Sequence, residues 1–268
     1  MCKVLGYSRD AYYKRTKRRR RQWIRRGVLL KLVENERGEQ PRVGTRKLLR
    51  HIQPGLRRAG FSVGRDKLFE ILREERLLVR PKRRFSKTTY SRHRYTVSAN
   101  LVKDFEIIRP NQVWVSDITY LSVGKGFAYL FLVTDARSRR IVGHHFSRDL
   151  SHYSALLALD VAVSAVENAN GIIHHSDRGC QYCCHEYMNY LERHGMLSSM
   201  TDEAHCYQNA IAERVNGILK DEFDLDAHFI DFEQARSAVE KAIKVYNAKR
   251  LHFSLKLRTP QEVYAKTA

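Results

Sequence analysis

Asp117, Asp177 and Glu213 are the residues whose types and surroundings could do chemistry in this 268-residue chain. Asp117 lies in the β-branched and aromatic run Val113-Trp-Val-Ser-Asp-Ile-Thr-Tyr, and Asp177 follows the apolar Gly171-Ile-Ile in His-His-Ser-Asp-Arg-Gly. Glu213 comes thirty-five intervening residues later, inside a strongly helical segment. Two acids at strand ends and one on a helix can converge on a single point. Carboxylate oxygens are the ligands that hard divalent cations take, so such a cluster points to metal-assisted displacement chemistry. Taken singly, Asp177 reads as a cap on the turn around Gly179 and Glu213 as an exposed helix residue. Their joint placement in strand, strand and helix is what favours catalysis.

The elements that must position these acids are legible from patterning. Residues Val113 to Val123, Phe127 to Thr134 and Arg140 to Ser147 are β-rich runs separated by short turns, which predicts an antiparallel meander. An Ala- and Leu-rich helix over Ser151 to Asn168 then crosses to a fourth strand at Gly171 to His174, which must run parallel to its neighbour. A helix over Tyr182 to His194, a short strand at Leu197 to Met200 and a helix over Asn209 to Phe223 follow. On that last helix Ile211, Val215, Ile218 and Phe223 make an apolar stripe, with Glu213, Asn216 and Lys220 on the other side. The order βββαβαβα is that of ribonuclease-H-like folds: an α/β mixed sheet, three antiparallel strands then parallel ones, with helices on both faces. The first and fourth strands lie side by side there, bringing Asp117 near Asp177.

Charge divides the chain. The net +20 is carried wholly by residues 1–100, which hold 30 Lys/Arg against 8 Asp/Glu, while residues 101–268 hold 19 against 21. Segregation of that kind implies a polyanion-binding arm on a body with another task, and DNA is the leading partner. Ser8 stands as an N-cap for a helix whose stretch Lys14 to Arg26 has nine Lys/Arg in thirteen positions. A helix from Gly44, interrupted by Pro54 and Gly55, and another from Gly64 with Leu68, Ile71 and Leu72 on one face suit a helix-turn-helix-like module presenting Arg65 and Lys67. This reading gives a basic helical region over 1–78, a basic linker over 79–108 containing Lys82, Arg83 and Arg84, a catalytic core over 109–230 and a C-terminal helical extension over 231–268.

No stretch reads as a signal peptide or membrane span, which predicts a cytoplasmic, nucleoid-associated protein with no membrane partner. Five cysteines, three of them at 180, 183 and 184, do not describe a secreted disulfide framework. Cys180, Cys183 and Cys184 with His174, His175 and His185 have the composition of a zinc site but lack a second ligand pair at suitable spacing, and are read as buried or partly buried thiols. Trp114 is read as packing, and His175 as a phosphate contact or a structural histidine.

The motifs Trp114-Val-Ser-Asp117-Ile-Thr-Tyr, His175-Ser-Asp177-Arg-Gly-Cys-Gln181-Tyr and Asn209-Ala-Ile-Ala-Glu213-Arg with Leu219-Lys220 resemble the catalytic core of the retroviral-integrase superfamily. With Tyr246-Asn247-Ala-Lys-Arg250-Leu-His252 and Thr259-Pro260, they resemble more closely the second-frame product of IS3-family insertion-sequence transposases. The resemblance implies a DDE-type enzyme that cleaves the element's ends and transfers the DNA 3′-hydroxyl to target DNA. It implies two Mg²⁺ or Mn²⁺ ions held by Asp117, Asp177 and Glu213, and a homo-oligomer on terminal-repeat and target DNA, with a possible upstream-frame product fused or bound. DNA contacts are assigned to Arg65, Lys67, Lys82, Arg83, Arg84, Asn216, Lys220 and Arg250, the last of which could equally tie the C-terminal helix to the core, as could Asn247 and His252. The alternatives are a structure-selective nuclease of the same fold and a non-enzymatic DNA-binding regulator.

Overall fold

The structure is a computed structural model that describes residues 6, 8–80, 97–202 and 209–266. Lys82, Arg83 and Arg84 lie outside the described residues. The chain divides into two compact units, residues 1–81 and 82–268.

The first unit is three helices: α1 (Arg9–Glu39), α2 (Thr45–Arg58) and α3 (Arg65–Glu74). Ser8 caps α1 as its sequence predicts, accepting from the Ala11 N–H at 3.1 Å. Leu29 and Val33 of α1, Leu48, Ile52 and Leu56 of α2 and Leu68, Ile71 and Leu72 of α3 form one small core. The expected interruption of α2 at Pro54 does not occur, because the helix runs through it. Proline in a helix costs about 3 kcal/mol, but Pro54 is exposed and lies between Ile52 and Leu56, whose burial, at about 1.5–3 kcal/mol each, holds both sides of it in one helix. Residues 9–25 of α1, by contrast, are exposed on every side.

The second unit is a sheet in the order β3-β2-β1-β4-β5, with a short β6 also paired to β1. Its strands are β1 (Val113–Val123), β2 (Gly126–Asp135), β3 (Ile141–Ser147), β4 (Ile173–Ser176), β5 (Leu197–Met200) and β6 (His228–Phe229). β1, β2 and β3 form the antiparallel meander, and β4 pairs in parallel with β1 and β5. β4 starts two residues later than its apolar run suggests. Gly171 adopts a positive φ of 77° and forms a turn, so the strand is displaced toward Asp177, which follows it directly.

Helices α4 (His152–Ser164), α5 (Cys180–Cys183) and α6 (His185–Arg193) cover one face, in a core with Trp114, Phe131 and Val133. The single helix expected over Tyr182 to His194 is two, separated at Cys184, whose ψ of 154° is extended. Helices α7 (Ala210–Glu222) and α8 (Phe232–Lys249) cover the other face, where Val215, Leu219, Val239 and Tyr246 meet Leu130 and Leu132. A last short helix, α9 (Pro260–Ala265), has a capping box made by Thr259 and Glu262. Residues 98–101 hydrogen-bond to β5 through Ser98 to Ser198 and the Leu101 N–H to Ser199.

The sheet and α4 meet at Gly143, where a Cβ would fall 2.2 Å from the Ala158 carbonyl oxygen and 2.8 Å from the Ala162 methyl. Both obstacles belong to a helix backbone or to its shortest side chain, so neither can swing away. Gly143→Ala is expected to cost about 1–3 kcal/mol, as overpacking does, measured by urea unfolding; wild-type stability in the variant would show that α4 can retreat.

Candidate active site

β1 carries the site because one of its edges is incomplete. On the side away from β2 it pairs with β4 only over Val113–Val115 and with β6 only at Ser122 and Val123. Even-numbered residues of β1 turn their backbone groups toward that edge, as the Ile173 N–H to Gln112 carbonyl bond shows. Between the two pairings, residues 116–121 have no strand beside them among the described residues, and these groups must be satisfied otherwise. The Ser116 carbonyl accepts from the Asn209 amide at 2.9 Å, and the Ile118 N–H donates to Asp117 Oδ1 at 2.9 Å. The notch is therefore closed by side chains, one of them the first candidate acid.

Asp117 lies partly exposed in this notch, and its other oxygen, Oδ2, accepts from Asn216 Nδ2 at 2.8 Å. Asn209 and Asn216 are seven residues apart, two helical turns, and so share one face of α7. Both are buried and both bond to β1, fixing the helix along the strand. Glu213, four residues after the one and three before the other, is thereby held on the open side of the same helix, where it is exposed. Asp177 enters at the end of β4 and accepts the Gly179 N–H at 3.0 Å, so it caps the turn and faces the cleft at once.

Electrostatics brings the three acids together. Burial, then the charge of Asp177 and then that of Glu213 push the Asp117 carboxyl up to about 7, against smaller opposing contributions from Asn216 and the Ile118 N–H. Below Asp117 the His174 ring is kept neutral, its pKa driven down to about 3 by burial and by His175, with Nε2 2.8 Å from Ser116 Oγ and 2.9 Å from the Tyr187 hydroxyl. Lys220, later on α7, has its ammonium 4.3 Å over the Tyr120 ring. Its pKa is lowered by burial against the pull of Asp226 and Asp117. Asp117 and Asp177 open into a cleft of about 400 Å³ that also has Gly179 and Tyr120 in its walls.

Two residues assigned to DNA have other work. Asn216 is buried against Asp117, because the polar side of α7 faces the notch before it faces solvent. Arg250 is 2% exposed and makes a two-pronged ion pair with Glu222 at 2.6 and 2.9 Å, locking the end of α8 to α7. Asn247 similarly holds both backbone groups of Ile141. Arg65 and Lys67 are exposed at the start of α3 but engaged with Asp66 and Glu70, solvent-screened pairs that a phosphate can displace. Asn209 and Asn216 are the positioning residues that sequence reading missed; two amides seven apart, on the helix face that carries Glu213, were the available signal. Trp114 is fully buried, its indole bonded to Asn111, and Cys183 and Cys184 are buried thiols. The cysteines do not gather with His174, His175 or His185; instead His152, Cys184 and Glu186 bring ligand atoms within 4.8 Å of one another.

Comparison with known proteins gives the same outline. Integrase core domain family models match residues 108–206 and 194–260. An uncharacterized 31 kDa protein of insertion element IS600 from Shigella sonnei is 35% identical over 260 residues, 95% of this chain and 94% of that one. Transposase InsF for insertion sequence IS3A of Escherichia coli K12 is 33% identical over 258 residues, 94% of this chain and 88% of its own. Among solved structures, the simian T-cell lymphotropic virus intasome in complex with PP2A regulatory subunit B56 gamma matches with a TM-score of 0.52 at 15% identity, over 79% of this chain and 70% of that one, a likeness of fold.

The raised Asp117 carboxyl has a consequence for stability. The folded state retains a proton that the unfolded chain releases near its ordinary value of 3.8, so this group's contribution falls as pH rises from about 4 through about 7. In metal-free protein the stability of Asp117→Asn relative to wild type should therefore rise across that window, read by thermal melts at pH 4.5 and 8; a flat difference would mean that the carboxyl ionises without strain. Arg250→Ala should cost on the order of 3–5 kcal/mol, as breaking a buried pair does. A drop in DNA affinity with unchanged melting would return Arg250 to the interface.

Proposed function

The chain belongs to the IS3 family of insertion-sequence transposases, and we propose that it cleaves DNA at the ends of such an element and joins the exposed 3′-hydroxyl to target DNA. The chemistry is that of a DDE-type polynucleotidyl transferase, with Asp117, Asp177 and Glu213 as its carboxylates. The observation that carries this reading is that Asp117 and Asp177 line one cleft, with Glu213 close enough, together with burial and Asp177, to raise the Asp117 carboxyl to about 7. A cluster of carboxyls in a cleft is what metal-dependent chemistry needs.

That donor set fits a hard divalent cation. All its ligand atoms are oxygens, and the buried Oδ1 of Asn216, without a hydrogen-bond partner beside Asp117, adds a further oxygen dipole facing the same region. Asp117, Asp177 and Glu213 would hold Mg²⁺ or Mn²⁺, two ions in this reading, which supply an activated water or hydroxyl and charge neutralisation at the leaving oxygen.

The chain's own residues do the rest. Asn216 and the Ile118 N–H fix the two oxygens of Asp117 in direction, so the carboxylate need not reorganise when it loses its proton. Asn209 and Asn216 set the distance of Glu213 from β1. Lys220, restrained over Tyr120 at the mouth of the cleft, grips a phosphate of the bound strand. Arg65, Lys67 and the exposed basic residues of α1 supply sequence-independent phosphate contacts, with Lys82, Arg83 and Arg84 continuing them. Holding two element ends at once calls for more than one copy on the DNA.

The test is purified protein, alone and fused to the product of any overlapping upstream frame, incubated with Mg²⁺ or Mn²⁺ and a labelled duplex carrying the terminal repeat found beside the gene. Joined products are expected. Asp177→Asn should lower joining by about 10³-fold or more, the equivalent of about 4 kcal/mol of charge stabilisation, while DNA affinity changes little. Cutting without joining would favour the nuclease, and collapse of binding in Asp177→Asn would make that acid structural.

A further inference from the structure

The cleft has a second half that phosphoryl chemistry does not need. Tyr120 and Tyr129 are directly opposed on β1 and β2, and Phe127 stands diagonally from Tyr120, so the three rings project from one face of the hairpin. All three line the cleft that contains Asp117 and Asp177. Tyr120 and Phe127 meet edge to face at 5.2 Å between centroids and remain 39% and 58% exposed. The hairpin turns at Gly124 and Lys125, and Leu150, Cys180 and Gln181 form the other wall of the cleft.

An exposed aromatic wall next to a carboxylate cluster is an unusual expenditure of apolar surface, and its chemistry narrows what it can receive. The ligand must be planar and apolar on its faces, since edge-to-face rings present a flat neighbour with a stacking surface. It must also be linked to an anion, because the Lys220 ammonium lies over Tyr120 where the aromatic wall meets the acids. A cleft of about 400 Å³ is of the size that takes one small aromatic ligand. A nucleotide has both parts, but a base within a duplex shows the protein only its edges. The base that fits here has left its pair.

We propose that Tyr120, Phe127 and Tyr129 form a stacking platform for one unpaired nucleobase next to the phosphate engaged by the acids, so that the DNA end is bound locally melted. This rests on the transposase reading above and deepens it. The notch makes the platform possible: with no strand on the edge of residues 116–121 away from β2 among the described residues, Lys220 on one face of the sheet reaches a ring on the other. Base and phosphate are thereby gripped from opposite faces at a single point on the strand.

The experiment uses the full chain without divalent cations, so that no chemistry is required. Duplexes carry the terminal repeat with the end base pair either matched or mismatched, and 5-iodouracil at single positions near the end. Wild type should bind the mismatched end more tightly and cross-link the iodouracil to the Tyr120–Tyr129 hairpin. Phe127→Ala and Tyr120→Leu should each weaken binding to the mismatched end by about 5-fold or more, the loss of one base stack, while Tyr120→Phe retains it. Equal affinity of wild type for matched and mismatched ends, or cross-links confined to other segments, would overturn the platform. So would a change of oligomeric state in Phe127→Ala, by light scattering without DNA, with the end preference intact; the wall would then be an interface between copies. If the cross-link forms but no joining follows when Mg²⁺ is added, the strand-transfer reading fails and the platform stands.

Discussion

An interrupted hydrogen-bond ladder on β1 governs this structure. A strand edge left bare is costly, because each buried N–H or carbonyl without a partner forfeits about 1–3 kcal/mol. Here the missing partner strand is replaced by an asparagine from α7 at Ser116 and by the Asp117 carboxylate at Ile118. That substitution ties the helix, the strand and the first acid into one unit. It also opens the sheet from face to face, so that groups from α5 on one side and α7 on the other meet around residues 117–120.

The same arrangement concentrates charge where the protein cannot neutralise it. Asp117 is desolvated and faces two other acids, and the nearest opposing contributions, an amide and one backbone N–H, are weaker than the sum of what opposes them. Lys220 is near enough to feel Asp117 yet is itself partly desolvated and occupied with Tyr120. The scaffold thus favours the protonated form of Asp117. Rigid surroundings make this possible: Trp114 and the neutral His174 pack behind β1, and Arg250 with Glu222 locks α7 to α8, so relief by local collapse is not open to it. The strain is relieved only by a cation or a proton.

Much of this was legible because it is local. The alternating and β-branched run at 113–123 gives β1 its limits, and the short strand at Leu197–Met200 is likewise where its residues predict. The three acids stand out because each follows a recognisable secondary-structure signal. What failed was decided at long range. Pro54 reads as a break until the core holding Ile52 and Leu56 is known. Asn216 reads as a DNA contact because the partner that buries it is 99 residues away, and the choice between DNA and core for Arg250 stays open until its partner, 28 residues away, is in view. The aromatic wall escaped for a related reason: Tyr120, Phe127 and Tyr129 are ordinary strand residues, and only the fold shows that they line one cleft.

The division of charge along the chain follows from the demands of such a site. A catalytic unit with enough lysine and arginine to hold DNA by itself would place those cations within a few ångströms of the three carboxyls. There, at an effective dielectric constant near 20, a unit charge at 4 Å contributes about 4 kcal/mol. They would neutralise the acids and displace the divalent ions the acids are arranged to take. Residues 101–268, with 19 basic and 21 acidic groups, carry no such excess, and Lys220 is turned toward a ring. Affinity for the polyanion is left to residues 1–100, where 30 basic groups face 8 acidic ones and no acid cluster competes. Segregation along the sequence is what lets one polypeptide be cationic enough to bind DNA and locally anionic enough to cut it.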